Sequence, residues 1–267
     1  MTDTHSASER VLTRRNGHVA EIIFNNPARH NAMSLSMWQG LYDHLQAFAS
    51  DDDVRIVVLS GAGGRAFVSG ADISEFAEQR SSEQAVAHYN HVSEAAEAAV
   101  AAFPKPIVAK IDGYCLGGGL GIAIGCDFRI CSQSSRFSIP AGKLGLGYAF
   151  EGVSKLIDTI GPAAAAELFM TAQMFDADEA ARLGLVNKVF SDDAFEREVD
   201  SIVQTIATNA PLTMKAFKAA MLEHAKAPDK QDRAHIATLV QACFASKDYE
   251  EGRAAFAEKR APRFRGA

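Results

Sequence analysis

Apolar residues recur along this chain at two periods, and the switches between them mark its elements. Val11–Arg15 and His18–Phe24 flank Asn16-Gly17, a dipeptide suited to positive φ at both turn positions, so an opening β-hairpin is predicted. Ser34 stands where it can cap a helix carrying Met37, Leu41, Leu45 and Phe48 on one face. Ile56–Leu59 is wholly apolar between Asp51-Asp52-Asp53 and Gly61, as expected of a parallel strand covered on both faces, and Ala66–Val68 reads as another. A long alanine-rich helix is predicted from about Glu83 to Phe103.

The stretch Pro106–Arg129 organises the rest. Ile107, Val108, Ala109 and Ile111 follow two prolines that cannot continue a helix, so they predict a buried strand, broken by Asp112-Gly113. Gly117, Gly118 and Gly119 come next, then Leu120, Ile122, Ala123 and Ile124, an apolar run suited to a buried helix. The free N–H groups at that helix start would receive an anion or a developing oxyanion. Taken alone, a glycine triplet reads first as close packing of strand on helix. Neither GxGxxG nor GxxxxGK[ST] is present, so no dinucleotide or ATP phosphate site is indicated.

Beyond it, strands are predicted at Phe128–Ser132, near Arg136–Ile139 and at Val186–Phe190. Helices are predicted at about Glu151–Ile160 and from Gly161-Pro162, and Asp176 and Glu179 have capping-box spacing. Only helices follow Asp192, giving an α/β core (residues 1–190) and a helical C-terminal segment (residues 191–267).

Composition narrows the partners. Apolar residues make up 48% of the 267 and charged residues 22%, with a net charge of −6. That balance argues against nucleic acid or an anionic membrane as partner. Cys115, Cys126, Cys131 and Cys243 form no CxxC pair, so reduced intracellular thiols are expected. The polar N-terminus has no apolar signal-peptide core, and Lys110 and Asp112 interrupt the best apolar run, so the protein is expected to be soluble and cytoplasmic. His88 and His91 have no third ligand in the pattern and read as a polar helix face; no metal is expected.

Asp112–Ile130 resembles the NGxAxGGGxxLAxxCDxRI signature of the crotonase, or enoyl-CoA hydratase/isomerase, family. The resemblance extends from about Val19 to Phe264. It implies a crotonase-like ββα spiral core, an acyl-CoA substrate, no cofactor beyond the CoA of that substrate, a role in fatty acid metabolism, and a homotrimer or dimer of trimers. Asn26–Ala32 resembles the family loop that contacts CoA, which implies substrate binding by Arg29, placed to meet phosphate, and Ala32. Gly64–Ile73 resembles GRAFCAGADI, implying that the N–H groups of Ala71 and Gly118 point together at the thioester oxygen, with Ser69, Asp72, Ile73, Ser74 and Gly117 around the substrate. Phe256 and Lys259, within a match to AFLEKRxP, are implied in binding the adenine nucleotide.

Departures from the pattern bear on the reaction. Family hydratases carry glutamates where this chain has Gly121 and Ala141, and neither residue can activate water or protonate carbon. Tyr148 matches a tyrosine of methylmalonyl-CoA decarboxylase-like members, Glu151 starts the next helix, and Glu94 lies three residues after His91 on the helix lining the acyl pocket of relatives. Tyr148 and Glu151 are therefore the candidate catalytic side chains. Noncanonical hydration or isomerisation, decarboxylation and hydrolysis remain open, beside a non-catalytic CoA-binding protein and an RNA-binding relative.

Overall fold

The computed structural model describes residues 10–72 and 82–267. The chain opens with β1 (Val11–Asn16) and β2 (Val19–Phe24), an antiparallel hairpin in which Asn16 pairs with Val19. The turn is therefore Gly17-His18 rather than the expected Asn16-Gly17, and of the two only Gly17 has positive φ, at 58°. Glycine first in the loop is the II′ pattern, which suits strand twist as well as I′ does. Register fixes the choice: Val11 lies opposite Phe24 with both side chains buried. Met37 N–H donates to Ser34 Oγ at 3.3 Å, capping α1 (Leu35–Ser50) as expected.

From there the chain winds in strand, strand, helix coils. β3 (Ile56–Gly61), β5 (Ile107–Ile111), β7 (Phe128–Ser132) and β10 (Lys188–Phe190) extend the hairpin into a six-stranded sheet of order β1-β2-β3-β5-β7-β10, parallel after the hairpin. β4 (Ala66–Val68), β6 (Tyr114–Leu116), β8 (Arg136–Ser138) and β9 (Phe175–Asp176) form a second sheet in that order, antiparallel only at β9. Successive strands from β3 to β8 thus alternate between the sheets. The helices α2 (Glu83–Ala101), α3 (Gly118–Gly125), α4 (Ala141–Leu144) and α5 (Phe150–Thr171) complete the coils, with Gly161 leaving helical geometry inside α5 where Gly161-Pro162 was expected to start a new helix. This is the spiral the resemblance implied.

Both faces of the large sheet are covered. Ile56 and Val58 of β3 meet Phe195, Val199 and Val203 of α7 (Phe195–Thr208), while Val57 and Leu59 enter the main core. Each such side chain contributes roughly 1.5–3 kcal/mol. Among the described residues α7 alone forms that outer layer; α6 (Ala177–Arg182), which precedes it in the chain, buries Ala177 and Ala180 in the main core instead. At α6 only half a capping box forms, because Glu179 N–H donates to Asp176 Oδ1 at 2.9 Å while the Glu179 carboxylate pairs with Arg182. The chain ends with α8 (Pro211–His224), α9 (Arg233–Phe244) and α10 (Lys247–Ala257). A buried ion pair ties α8 to the core: Lys218 Nζ lies 2.6 Å from Asp127 Oδ1, and Asp127 Oδ2 accepts the Ile107 N–H at 3.0 Å. Among the described residues no helix is long and apolar enough to cross a membrane.

Candidate active site

Two loops meet main chain to main chain at the start of α3. A Cβ added to Gly117 (φ 51°) would lie 3.8 Å from Gly70 Cα, and one added to Gly119 would come within 2.2 Å of the Val68 carbonyl oxygen. At Gly119 the two loops therefore approach as only glycine allows, and Gly117 needs glycine for its left-handed φ. On one side, Met33 N–H donates to Gly70 O at 2.8 Å and Asp72 N–H to Met33 O at 2.9 Å, a parallel bridge that uses the groups flanking Ala71 and turns its own N–H away. On the other, Gly118 is the first residue of α3, whose N–H the helix cannot satisfy. Among the described residues neither N–H has an acceptor. Trp38 backs Gly118, with Cζ2 3.2 Å from where its Cβ would be, and its indole N–H donates to Tyr89 OH at 2.9 Å.

Asn31 holds the loop beside them. It is buried with φ 57°, a left-handed geometry asparagine tolerates. Its Nδ2 donates to Ala62 O at 2.9 Å and Ala66 O at 2.7 Å, and its Oδ1 accepts Asn26 N–H at 2.9 Å. The loop brings Arg29 to Asp72, Nη1 to Oδ1 at 2.9 Å; the carboxylate is 5% exposed and the guanidinium side chain 52%. Ser69 Oγ donates to Arg29 O at 3.3 Å, and Ala32 is buried alongside. Arg29, Ala32, Ser69, Ala71, Asp72, Gly117 and Gly118 thus lie on neighbouring loops. Ile73 and Ser74 lie outside the described residues.

Tyr148 is half-buried in the loop between α4 and α5, edge-on to Phe169 at 5.2 Å between centroids. Burial first, then the nearby Glu97 charge, hold its phenol well above the ordinary range. Glu151, in the first turn of α5, is exposed, and so are Glu94, His88 and His91 on α2. The residue that the pattern did not single out is Glu97, one turn beyond Glu94. It is half-buried, and its Oε1 lies 2.9 Å from where a Cβ on Gly121 would stand. Burial pushes its carboxyl up to about 7, against the attraction of Lys155 and with added repulsion from Glu94. The signal available in sequence was its place beside Ala96 and Val100, the buried positions of α2.

Phe256 and Lys259 stand apart from this cluster. Phe256 is 88% exposed and lines a cavity of about 770 Å³ with Phe217, Val240, Phe244, Tyr249 and Phe264. None of the residues around Ala71 and Gly118 lines that cavity. Lys259 follows α10 with φ 55° and is exposed.

The family model for enoyl-CoA hydratase/isomerase matches residues 14–267. A crotonyl-CoA hydratase of Syntrophomonas wolfei is 32% identical over 97% of this chain and 98% of its own length. A peroxisomal Delta(3,5)-Delta(2,4)-dienoyl-CoA isomerase of Arabidopsis thaliana is also 32% identical, over 98% of each. Among solved structures, an enoyl-CoA hydratase/carnithine racemase from Magnetospirillum magneticum superposes with a TM-score of 0.91 at 36% identity, over 98% of this chain and 97% of that one. With its spiral of coils and this likeness end to end, the chain is an enzyme of the enoyl-CoA hydratase/isomerase family.

Proposed function

We propose that the enzyme binds an acyl-CoA thioester with its carbonyl oxygen between the N–H groups of Ala71 and Gly118, and moves protons at the neighbouring carbons through an enolate. The observation that carries this reading is the pair of N–H groups, without acceptors among the described residues, on two loops that meet at Gly119. Such donors, fixed before the substrate arrives, need no rearrangement as charge develops, and one is typically worth ~3 kcal/mol. The resemblance assigns a CoA phosphate to Arg29, half-exposed beside Asp72, and the adenine nucleotide to Phe256 and Lys259, which stand apart from that cluster.

Gly121 and Ala141 occupy the positions where the resemblance expects two glutamates, so hydration by the usual pair is not this chain's route. The reaction class is nonetheless a lyase or isomerase acting on an unsaturated acyl-CoA, in keeping with relatives named hydratases and isomerases. The neutral phenol of Tyr148 favours decarboxylation as a second reading, since that route needs a proton donor and no base. The carboxyl of Glu97 beside it counts against a substrate carrying its own carboxylate. The aromatic side chains exposed along α8, α9 and α10, Phe217, Phe244 and Phe256, suit a homotrimer or dimer of trimers in the cytoplasm.

Thermal unfolding with and without CoA esters tests binding, and stabilisation is expected; no shift with any ester would refute the reading. Incubation with crotonyl-CoA, methylmalonyl-CoA and a β-keto acyl-CoA, followed by product mass, then assigns the reaction. Loss of turnover in Tyr148→Phe or Glu151→Gln would assign that residue the proton transfer, and binding without turnover of any ester would leave a CoA-binding protein.

A further inference from the structure

A carboxyl group reaches α3 from a different helix. Gly121 lies three residues after Gly118, so it shares that residue's face of α3 about 4.5 Å further along the axis. A Cβ there would meet Glu97 Oε1 at 2.9 Å and Cδ at 3.4 Å, so the carboxyl group lies directly against the Gly121 Cα. The Glu97 side chain, rooted on α2, therefore fills the space that a longer side chain on Gly121 would claim. Among the described residues no hydrogen bond reaches it, and the groups acting on its charge are Lys155 of α5, Glu94 of its own helix and Tyr148. A carboxylate held for structure alone would be expected to carry hydrogen-bond donors.

We propose that Glu97 is the catalytic acid–base of this enzyme, delivering from α2 the carboxyl that α3 lacks at Gly121. The inference rests on the thioester reading above. The Glu97 carboxylate takes a proton from Cα, the C–H pair moves into the thioester carbonyl to give the enolate at the Ala71 and Gly118 N–H groups, and the resulting carboxylic acid returns its proton to carbon. One negative charge enters on the carboxylate, passes to the enolate and comes back. The carboxyl's shift up to about 7 suits this two-way use, because a group half-protonated near neutral pH serves equally as base and acid.

The test uses the full chain with butyryl-CoA in deuterated water, following deuterium at Cα by mass, alongside thermal shift with the same ester. Wild type is expected to exchange with a rising limb centred near pH 7. Glu97→Gln should keep the thermal shift, lose the limb and slow exchange by roughly 100-fold or more, with Glu97→Asp recovering part of the rate. Gly121→Ala, whose new methyl displaces the carboxyl, should slow exchange without loss of folding and serves if the glutamine variant does not fold. Absence of a thermal shift in wild type overturns the thioester reading itself. Binding with exchange that ignores residue 97, or binding without any exchange, overturns only the role given to Glu97.

Discussion

Glu97→Gln should alter stability in a manner that depends on pH, independently of any substrate. In the folded chain the carboxyl keeps its proton up to about 7, compared with 4.5 when free. Below that lower value both folded and unfolded states are protonated, and the amide replaces a neutral acid of similar shape. Between the two values the folded state holds a proton that the unfolded state has released, so wild-type stability falls as pH rises. Above about 7 the whole cost is present, at most ~3 kcal/mol given ~1.4 kcal/mol per tenfold change in proton affinity. The glutamine variant cannot ionise and escapes it. Its advantage should therefore grow from near zero at about pH 4.5 to ~3 kcal/mol at about pH 8, a gain in Tm of roughly 5 °C for a chain this long. Urea unfolding of both proteins across that range measures the gap. A difference that stays constant with pH would refute the reasoning, since it would mean the carboxyl titrates alike in both states.

Three other substitutions test the framework that holds the site. Lys218→Met leaves the Asp127 carboxylate buried without its cation and should destabilise by ~3–5 kcal/mol in urea unfolding, with Asp127→Asn in the same chain recovering part of the loss. Asn31→Ala removes the side chain that bonds Asn26, Ala62 and Ala66 and puts a left-handed φ on alanine; at ~1 kcal/mol per bond and ~1 kcal/mol for the backbone, a loss of ~4 kcal/mol is expected, read by the same assay. Gly119→Ala would set a methyl 2.2 Å from the Val68 carbonyl oxygen, which is backbone and cannot swing aside, so soluble yield and any CoA-ester thermal shift should both collapse.

Much of this architecture was legible because it depends on local pattern. The apolar run Ile56–Leu59 announced a strand covered twice, and its alternate residues do face opposite layers. The Ser34 cap and the helix after the glycine triplet likewise follow from neighbours in sequence. β6 and β9, with three and two residues, were not legible: β6 lies between Gly113 and Gly117, where the glycines read as a turn, and among the described residues β9 pairs only with β8. The hairpin turn slipped by one residue because cross-strand register overrode the local preference of Asn-Gly. In the site, the loop residues could be read from motif order. For Glu97 the pattern offered only its nearness to buried Ala96 and Val100; what gives it significance is that it occupies the space beside Gly121, a fact about packing between two helices.

Gly119 lies directly against the Val68 peptide, with no room between them for a methyl group. Whatever the two N–H groups grip, they are anchored by peptide units in contact, with no rotamer between them that a neighbouring mutation could disturb. On the proposed reading, side chains around them can be exchanged, and a proton carrier can migrate from one coil of the spiral to the next, while the main-chain grip on the substrate's oxygen is retained. A scaffold of this kind separates the part of catalysis that must stay fixed from the part that is free to diversify.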